Sequence, residues 1–310
     1  MAAPSSSPDC SVAILGSGAL ACFLGAALAE SGSPVRLLSD RRPPGPIHVS
    51  VAGGARPLDF TFQVESPFSR AWDPEDTLLL ASKAPACRAF LERLATAGST
   101  VPETWIACNG LGLLENLPRG RFARGLARLL CGFGVRESAP GRYQFSGGGV
   151  AGHATVVPGS FAPRLLRALA SMNISISPPS DLRDSEWKKI AWNASMNGIL
   201  ALEGLRNGEL LSRPPLLVRF DALLAETVSI ARTEGVELDP HGTLRAEILD
   251  SVRKTAGNLN SMAMDLARKQ PTEIDWINGA VVRTALRHGI AAPENQRLLA
   301  EVLTREKSWA

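Results

Sequence analysis

The chain has 310 residues, long enough to bury a sizeable core and to form two domains rather than one. Its 45% hydrophobic and 20% charged residues, with 33 basic against 30 acidic side chains and a net charge of +3, match an ordinary globular protein and lack the long basic run of a nucleic-acid binder. Five scattered cysteines without a C-x-x-C pair, beside four histidines, argue for reduced thiols in the cytoplasm and against a metal centre.

Residues 1–10 are expected to be a disordered tail. Charge is then absent from Cys10 to Ala29, as in a signal peptide or a membrane span. No basic residue precedes that stretch and Gly16-Ser17-Gly18 interrupts it, so neither export nor membrane insertion is expected. A strand, a tight turn and a helix suit it better. Residues 11–15 form a short apolar run fit for a buried parallel strand. Gly16-Ser17-Gly18-Ala19-Leu20-Ala21 then matches G-x-G-x-x-G/A. In that pattern the first glycine permits the turn, the second lets the backbone reach a pyrophosphate, and the third small residue lets helix and strand pack closely. The helix start offers N–H groups and a positive dipole end to phosphate oxygens. These six residues are therefore candidates for binding a dinucleotide.

Residues 35–39 read as the second strand, whose end should meet the adenosine ribose. Asp40 stands there, followed by Arg41 and Arg42. An acid accepts from the ribose 2′-hydroxyl and favours NAD, whereas an arginine holds the phosphate of NADP. The two signals conflict, and a plain solvated turn before Pro43-Pro44 is the third reading. Residues 46–68 alternate short β-like pieces with glycine and proline. An apolar run at 77–82 leads into Lys83, a helix over 88–97 follows Pro85, and a strand at 105–108 runs into Asn109-Gly110-Leu111-Gly112. Strands alternating with helices indicate a doubly wound, mostly parallel sheet, with ligands gathered at the strand C-termini. Lys83 and Asn109 are thus either cofactor neighbours or loop punctuation. Residues 126–157, rich in β-formers and glycine, read as a small antiparallel extension, with Gly147-Gly148-Gly149 as strand-end turns.

After Pro178-Pro179 the pattern changes to amphipathic helices over 184–202, 214–234, 240–254, 260–269, 273–288 and 293–303. The expected organisation is a dinucleotide-binding domain over 11–180 and an all-helical domain over 181–310, facing each other across a cleft. The first of these helices contains Trp187-Lys188-Lys189-Ile190-Ala191-Trp192-Asn193-Ala194-Ser195-Met196-Asn197, with Asp181 or Asp184 as a cap. Lys189, Asn193 and Asn197 recur at i, i+4 and i+8 and so line one stripe. The stripe is either a half-exposed helix face or a polar wall for a small ligand.

Taken in order, the glycine turn, Lys83, Cys108-Asn109-Gly110-Leu111-Gly112, the Trp-x-Lys-x-x-x-Asn-x-x-x-Asn helix, Asn258-Leu259-Asn260-Ser261-Met262, Thr272-Glu273-Ile274-Asp275 and Pro293-Glu294-Asn295 resemble the motifs of ketopantoate reductases. The resemblance implies a Rossmann-type domain followed by a helical one, and reduction of a 2-oxo acid by NADPH, with NADH open because of Asp40. It implies Lys189 as the general acid at the developing alkoxide, and Asn193 and Asn197 as donors or acceptors to substrate oxygens. By the same resemblance Asn258 and Ser261 hold the carboxylate side, and Glu273 accepts from the 4-hydroxyl of ketopantoate. Asn109 lies by the nicotinamide ribose or substrate and Lys83 by the cofactor. Lys188 points about 100° away from Lys189 on the helix. Three departures stand out: Asp40 where many relatives have arginine, Asn260-Ser261 for a serine pair, and Lys269-Gln270-Pro271 before Thr272. The alternatives are a reductase of a different 2-oxo acid and a non-catalytic regulator that binds NADP. A monomer or homodimer in the cytoplasm is expected, with no membrane or nucleic-acid partner.

Overall fold

The computed structural model describes residues 11–309 apart from 54–55, 70–71, 74, 97–100, 119–121, 123, 146–149, 156–160, 178–181 and 240–241. The tail 1–10, the triple glycine, Pro178-Pro179 and Asp181 lie outside the described residues. The chain divides into two compact units, one of residues 1–108 and 113–182, the other of 109–112 and 183–310.

Among the described residues the first unit holds eleven strands: β1 (Val12–Leu15), β2 (Val35–Leu38), β3 (Gly45–Ala52), β4 (Leu58–Glu65), β5 (Thr77–Leu80), β6 (Glu103–Ile106), β7 (Leu126–Cys131), β8 (Val135–Ala139), β9 (Arg142–Phe145), β10 (Val150–Thr155) and β11 (Ser175–Ser177). Its helices are α1 (Ala19–Glu30), α2 (Ala84–Thr96) and α3 (Ala162–Ser171). All strands join one sheet in the order β11-β10-β7-β6-β5-β1-β2-β4-β3-β9-β8. The run from β7 to β4 is parallel throughout. From β1 the chain winds outward through β2 to β4, then returns to the other flank of β1 as β5. That reversal is the switch point of a doubly wound sheet, where ligands bind at the carboxyl ends of the strands.

Local sequence explains the centre of this sheet. The four residues of β1, β5 and β6 are all buried, as parallel strands covered on both faces must be. Helix α1 has every residue from Ala21 to Leu28 buried, which its lack of charge before Glu30 permits. Phe23 alone, with no exposed surface, contributes about 2–3 kcal/mol of burial.

Two expectations are corrected here. Residues 126–157 do make antiparallel pairs, but not as one extension: β7 ends the parallel run beside β6, β10 pairs antiparallel with β7, and the antiparallel pair β8–β9 extends the opposite edge through β3. Strand signals show pairing propensity but not the partner, which tertiary contacts choose. Helix α2 starts at Ala84 rather than at 88, because Pro85 falls in the first turn, where a proline is tolerated.

The second unit is built from α4 (Leu182–Glu203), a 3-10 turn (Asn207–Ser212), α5 (Pro214–Thr233), α6 (Thr243–Lys254), α7 (Ser261–Ala267), α8 (Ile274–Arg287) and α9 (Pro293–Lys307). Helix α4 is buried on all sides from Ala194 to Ala201, so it forms the axis around which the others pack. No described helix is long and apolar enough to cross a membrane. Helix α7 ends in a Schellman motif, with Gln270 N–H donating to Asp265 O at 2.9 Å and Lys269 N–H to Leu266 O at 3.0 Å. The left-handed position carries Lys269 at φ +52° instead of glycine. A left-handed non-glycine residue costs about 1–2 kcal/mol, against about 0.5–1 kcal/mol of extra chain entropy for glycine. Lys269→Gly is therefore expected to raise the melting temperature by about 2 °C in a thermal scan, and a lower melting temperature would show that the lysine side chain outweighs its backbone strain.

Candidate functional site

In the first unit, the turn after β1 carries the glycine pattern. Gly16 has φ +132°, and a Cβ there would come within 2.9 Å of the Ala81 carbonyl oxygen and 3.1 Å of Ala21 Cβ. The first glycine and the terminal small residue therefore work together to let α1 start against the ends of β1 and β5. Gly18 is the opposite case. It is exposed, and a Cβ on it would meet no atom within 4 Å, so its backbone faces open space that another molecule can approach. Gly18 is also the N-cap of α1 and makes no side-chain cap bond. The turn, the open second glycine and the uncapped helix start fit a pyrophosphate of a dinucleotide. Cys22 packs behind them with no exposed surface, and burial pushes its thiol above the usual range.

At the end of β2, Ser39 is buried and its Oγ accepts from the backbone N–H groups of Arg41 at 3.2 Å and Arg42 at 3.1 Å. Ser17 Oγ donates to Ser39 Oγ at 3.3 Å, tying this loop to the glycine turn. The tie leaves Asp40 and Arg41 both exposed at the loop tip. Lys83 is half-buried between the end of β5 and the first residue of α2. Buried Arg128 on β7, which sequence reasoning missed, donates to the Cys108 carbonyl at 3.2 Å.

In the second unit, Lys189 and Asn193 are half-buried on α4, and Asn197 is buried at 7% exposure. Among the described residues, neither the Asn193 nor the Asn197 carboxamide has a hydrogen-bond partner. Lys188 is exposed and pairs with Glu247 at 2.6 Å. The loop 109–112 packs on the start of α8. Gly110 has φ +102°, a Cβ on it would lie 2.7 Å from Trp276 Cβ, and Leu111 N–H donates to the Trp276 carbonyl at 3.1 Å. The close approach brings Asn109 to Glu273, with Nδ2 donating to Oε2 at 2.9 Å. Glu273 is the residue before α8, yet its carboxylate makes no cap bond. The Thr272 hydroxyl accepts from Ile274 N–H at 3.1 Å instead. Asp275 turns to Arg283 at 2.8 Å and takes no part.

Asn258 and Ser261 are exposed, on the loop before α7 and at its first residue. Among the described residues, neither side chain is hydrogen-bonded to the α4 stripe. Their neighbour Asn260 makes the link: its Oδ1 accepts from Ala263 N–H at 2.9 Å and its Nδ2 donates to the Asn197 carbonyl at 3.3 Å. An asparagine before an apolar run is an N-cap signal, so half of that role was legible. The same loop is held from its other side by Asn207. Asn207 N–H donates to the Asn258 carbonyl at 2.9 Å, and its Nδ2 to Thr255 Oγ1 at 3.0 Å. Among the described residues no group of three or more His, Cys, Asp or Glu side chains could hold a metal ion.

The 2-dehydropantoate 2-reductase of Vibrio cholerae is 34% identical over 130 residues, which cover 42% of this chain and 43% of that protein. The chain thus spans under half the length of that relative. The enzyme of the same name from Pyrococcus abyssi is 27% identical over 305 residues, covering 94% and 97% of the two chains. Among solved structures, that of D-mandelate dehydrogenase with NADH and anilino(oxo)acetate superimposes with a TM-score of 0.79 at 22% identity, over 96% of this chain and 99% of that one. At that identity the likeness speaks for the fold alone. Residues 12–154 match the family model described as ketopantoate reductase PanE/ApbA, and residues 181–306 match the model of its C-terminal part. With both halves matched in sequence and the glycine turn and polar helix in place, the chain belongs to the ketopantoate reductase family.

Proposed function

We propose that the protein reduces 2-dehydropantoate to pantoate with NADPH, with Lys189 as the general acid, and so serves pantothenate and coenzyme A synthesis. The observation that carries this reading is the α4 stripe. Asn193 and Asn197 present carboxamides with no protein partner among the described residues, and Asn197 is 93% covered. Both carboxamides therefore keep their donors and acceptors for a bound polar molecule. A 2-oxo acid offers such a molecule three oxygens beside an electrophilic carbon.

When bound, the nicotinamide supplies a hydride to the ketone carbon. The chain's residues do the rest. Lys189 Nζ polarises the ketone oxygen and gives it a proton, so that a hydroxyl forms and a neutral amine is left to be recharged from solvent. Asn193 and Asn197 orient the oxo acid. Asn258 and Ser261 hold its carboxylate side, and Glu273, steadied by Asn109, accepts from the 4-hydroxyl. Gly16 to Ala21 cradle the pyrophosphate, with Lys83 beside the cofactor.

The cofactor's 2′ group has a second reading. Asp40 stands exposed at the loop tip beside Arg41, and an acid there repels a 2′-phosphate and favours NADH. Initial rates of NADPH and NADH oxidation should be compared with ketopantoate, 2-oxoisovalerate, 2-oxobutyrate and pyruvate at matched concentrations. A preference for ketopantoate over 2-oxoisovalerate, which lacks the 4-hydroxyl, is expected. Faster turnover of another acid would keep the mechanism and replace the substrate. Tight cofactor binding without any oxidation would make the protein a nucleotide-binding regulator.

A further inference from the structure

Asn278 lies on α8 with no exposed surface, in the middle of the helical unit's core. Its Nδ2 donates to the carbonyl of Ala194 on α4 at 3.0 Å and to Asn295 Oδ1 at 2.9 Å. Asn295, equally buried on α9, donates from Nδ2 to Glu226 Oε1 at 2.7 Å and to Thr227 Oγ1 at 3.3 Å. Glu226 closes the chain by accepting from the backbone N–H groups of Glu294 at 3.0 Å and Asn295 at 2.8 Å. One polar path therefore runs from α5 through the start of α9 and through α8, and ends on α4. Its last acceptor belongs to the residue directly after Asn193.

The same turn of α4 is gripped twice more. A Cβ at Gly198 would lie 2.9 Å from the Leu298 side chain, so α4 and α9 touch there. The Asn197 carbonyl accepts from Asn260, as described above. Apolar packing resists separation of helices but tolerates small sliding, and a one-residue shift moves a helix by 1.5 Å and turns it by 100°. A hydrogen bond to one particular carbonyl opposes both motions. The arrangement is also costly in itself, because Asn278 Oδ1 is buried with no hydrogen-bond partner. A leucine of similar size would remove that unpaired oxygen but leave buried Asn295 Oδ1 without its donor, so the two effects on stability roughly offset.

We propose that Asn278 is a positioning residue: through Ala194 it sets the axial register and rotation of α4, and hence the aim of Asn193 and Asn197 on the oxo acid. The effect on turnover rests on the reductase reading above, whereas the tether itself does not. A reacting group displaced by 1 Å loses about 100-fold in rate, and a loosened register samples the correct aim only part of the time. Asn278→Leu should accordingly keep its melting temperature within a few degrees of the wild type while kcat falls at least tenfold, with cofactor affinity changed less than twofold. Hydrogen exchange of the 194–198 amides should quicken in that variant, ahead of the rest of α4. Glu226→Gln, which weakens the far end of the path, should lower kcat severalfold and serves if the leucine variant does not fold. Ile277→Val, a buried apolar trim on the same helix, should cost stability but leave kcat unchanged.

Turnover within twofold of the wild type in both polar variants, or 194–198 exchange unchanged, would overturn the proposal. If the wild type itself reduces no 2-oxo acid, the reductase reading fails, and the exchange measurement alone then decides on the tether.

Discussion

Lys189→Ala is expected to lower kcat about a thousandfold while the affinity for cofactor stays within about twofold. A positioned general acid contributes roughly 100- to 10,000-fold to a proton transfer, and an ammonium beside the forming alkoxide adds electrostatic stabilisation that water replaces poorly. The lysine belongs to the helical unit and the glycine turn to the other, so its loss leaves the proposed nucleotide-binding turn intact. Lys188→Ala is the matched control. It removes an ion pair with Glu247 in which both side chains are about half exposed, at 48% and 49%, and such pairs contribute at most about 1 kcal/mol. Steady-state rates at saturating oxo acid, with cofactor binding followed separately by nicotinamide fluorescence, check both. Full activity in Lys189→Ala would remove the proposed acid, and a loss confined to cofactor binding would move the lysine to the nucleotide.

Glu273→Ala should reduce kcat/KM for ketopantoate by about 10- to 100-fold and for 2-oxoisovalerate far less. A hydrogen bond to a carboxylate is worth about 1.5–3 kcal/mol, and only the first of these acids has the 4-hydroxyl to donate. Part of any loss common to both acids comes from Asn109, whose Nδ2 would lose its acceptor at 2.9 Å. Glu273→Gln separates the two contributions, because the amide oxygen can still take the Asn109 bond at lower strength. Equal losses with both acids would make Glu273 a support for the 109–112 loop and take it off the substrate. The kinetic ratio between the acids is the decisive quantity.

The expected helices over 184–202, 214–234, 273–288 and 293–303 differ from the observed spans by a few residues at their ends, because Pro214 and Pro293 open α5 and α9 and the apolar period is long. Other stretches were illegible for stated reasons. Helix α3 and strand β11 are short, at 10 and 3 residues, so periodicity had little to work on. Lys269 in a left-handed turn gives no signal, since nothing in a lysine marks that backbone shape. Asn278 reads as an unremarked helical residue, and its partner Ala194 lies 84 positions away.

Local chemistry in the chain determined where backbone turns, helix starts and the i, i+4, i+8 polar stripe fall. Those features depend on neighbours within a few residues, whose geometry is the same in any fold. Tertiary structure alone decided the rest: that β7 lies parallel beside β6, that Gly110 presses on Trp276 and delivers Asn109 to Glu273, and that three elements grip one turn of α4. Each of these is a choice among partners far apart in sequence, made by how well the buried surfaces and hydrogen bonds close around one another. Propensity is silent on that choice, because the same residue types would satisfy many other pairings equally well.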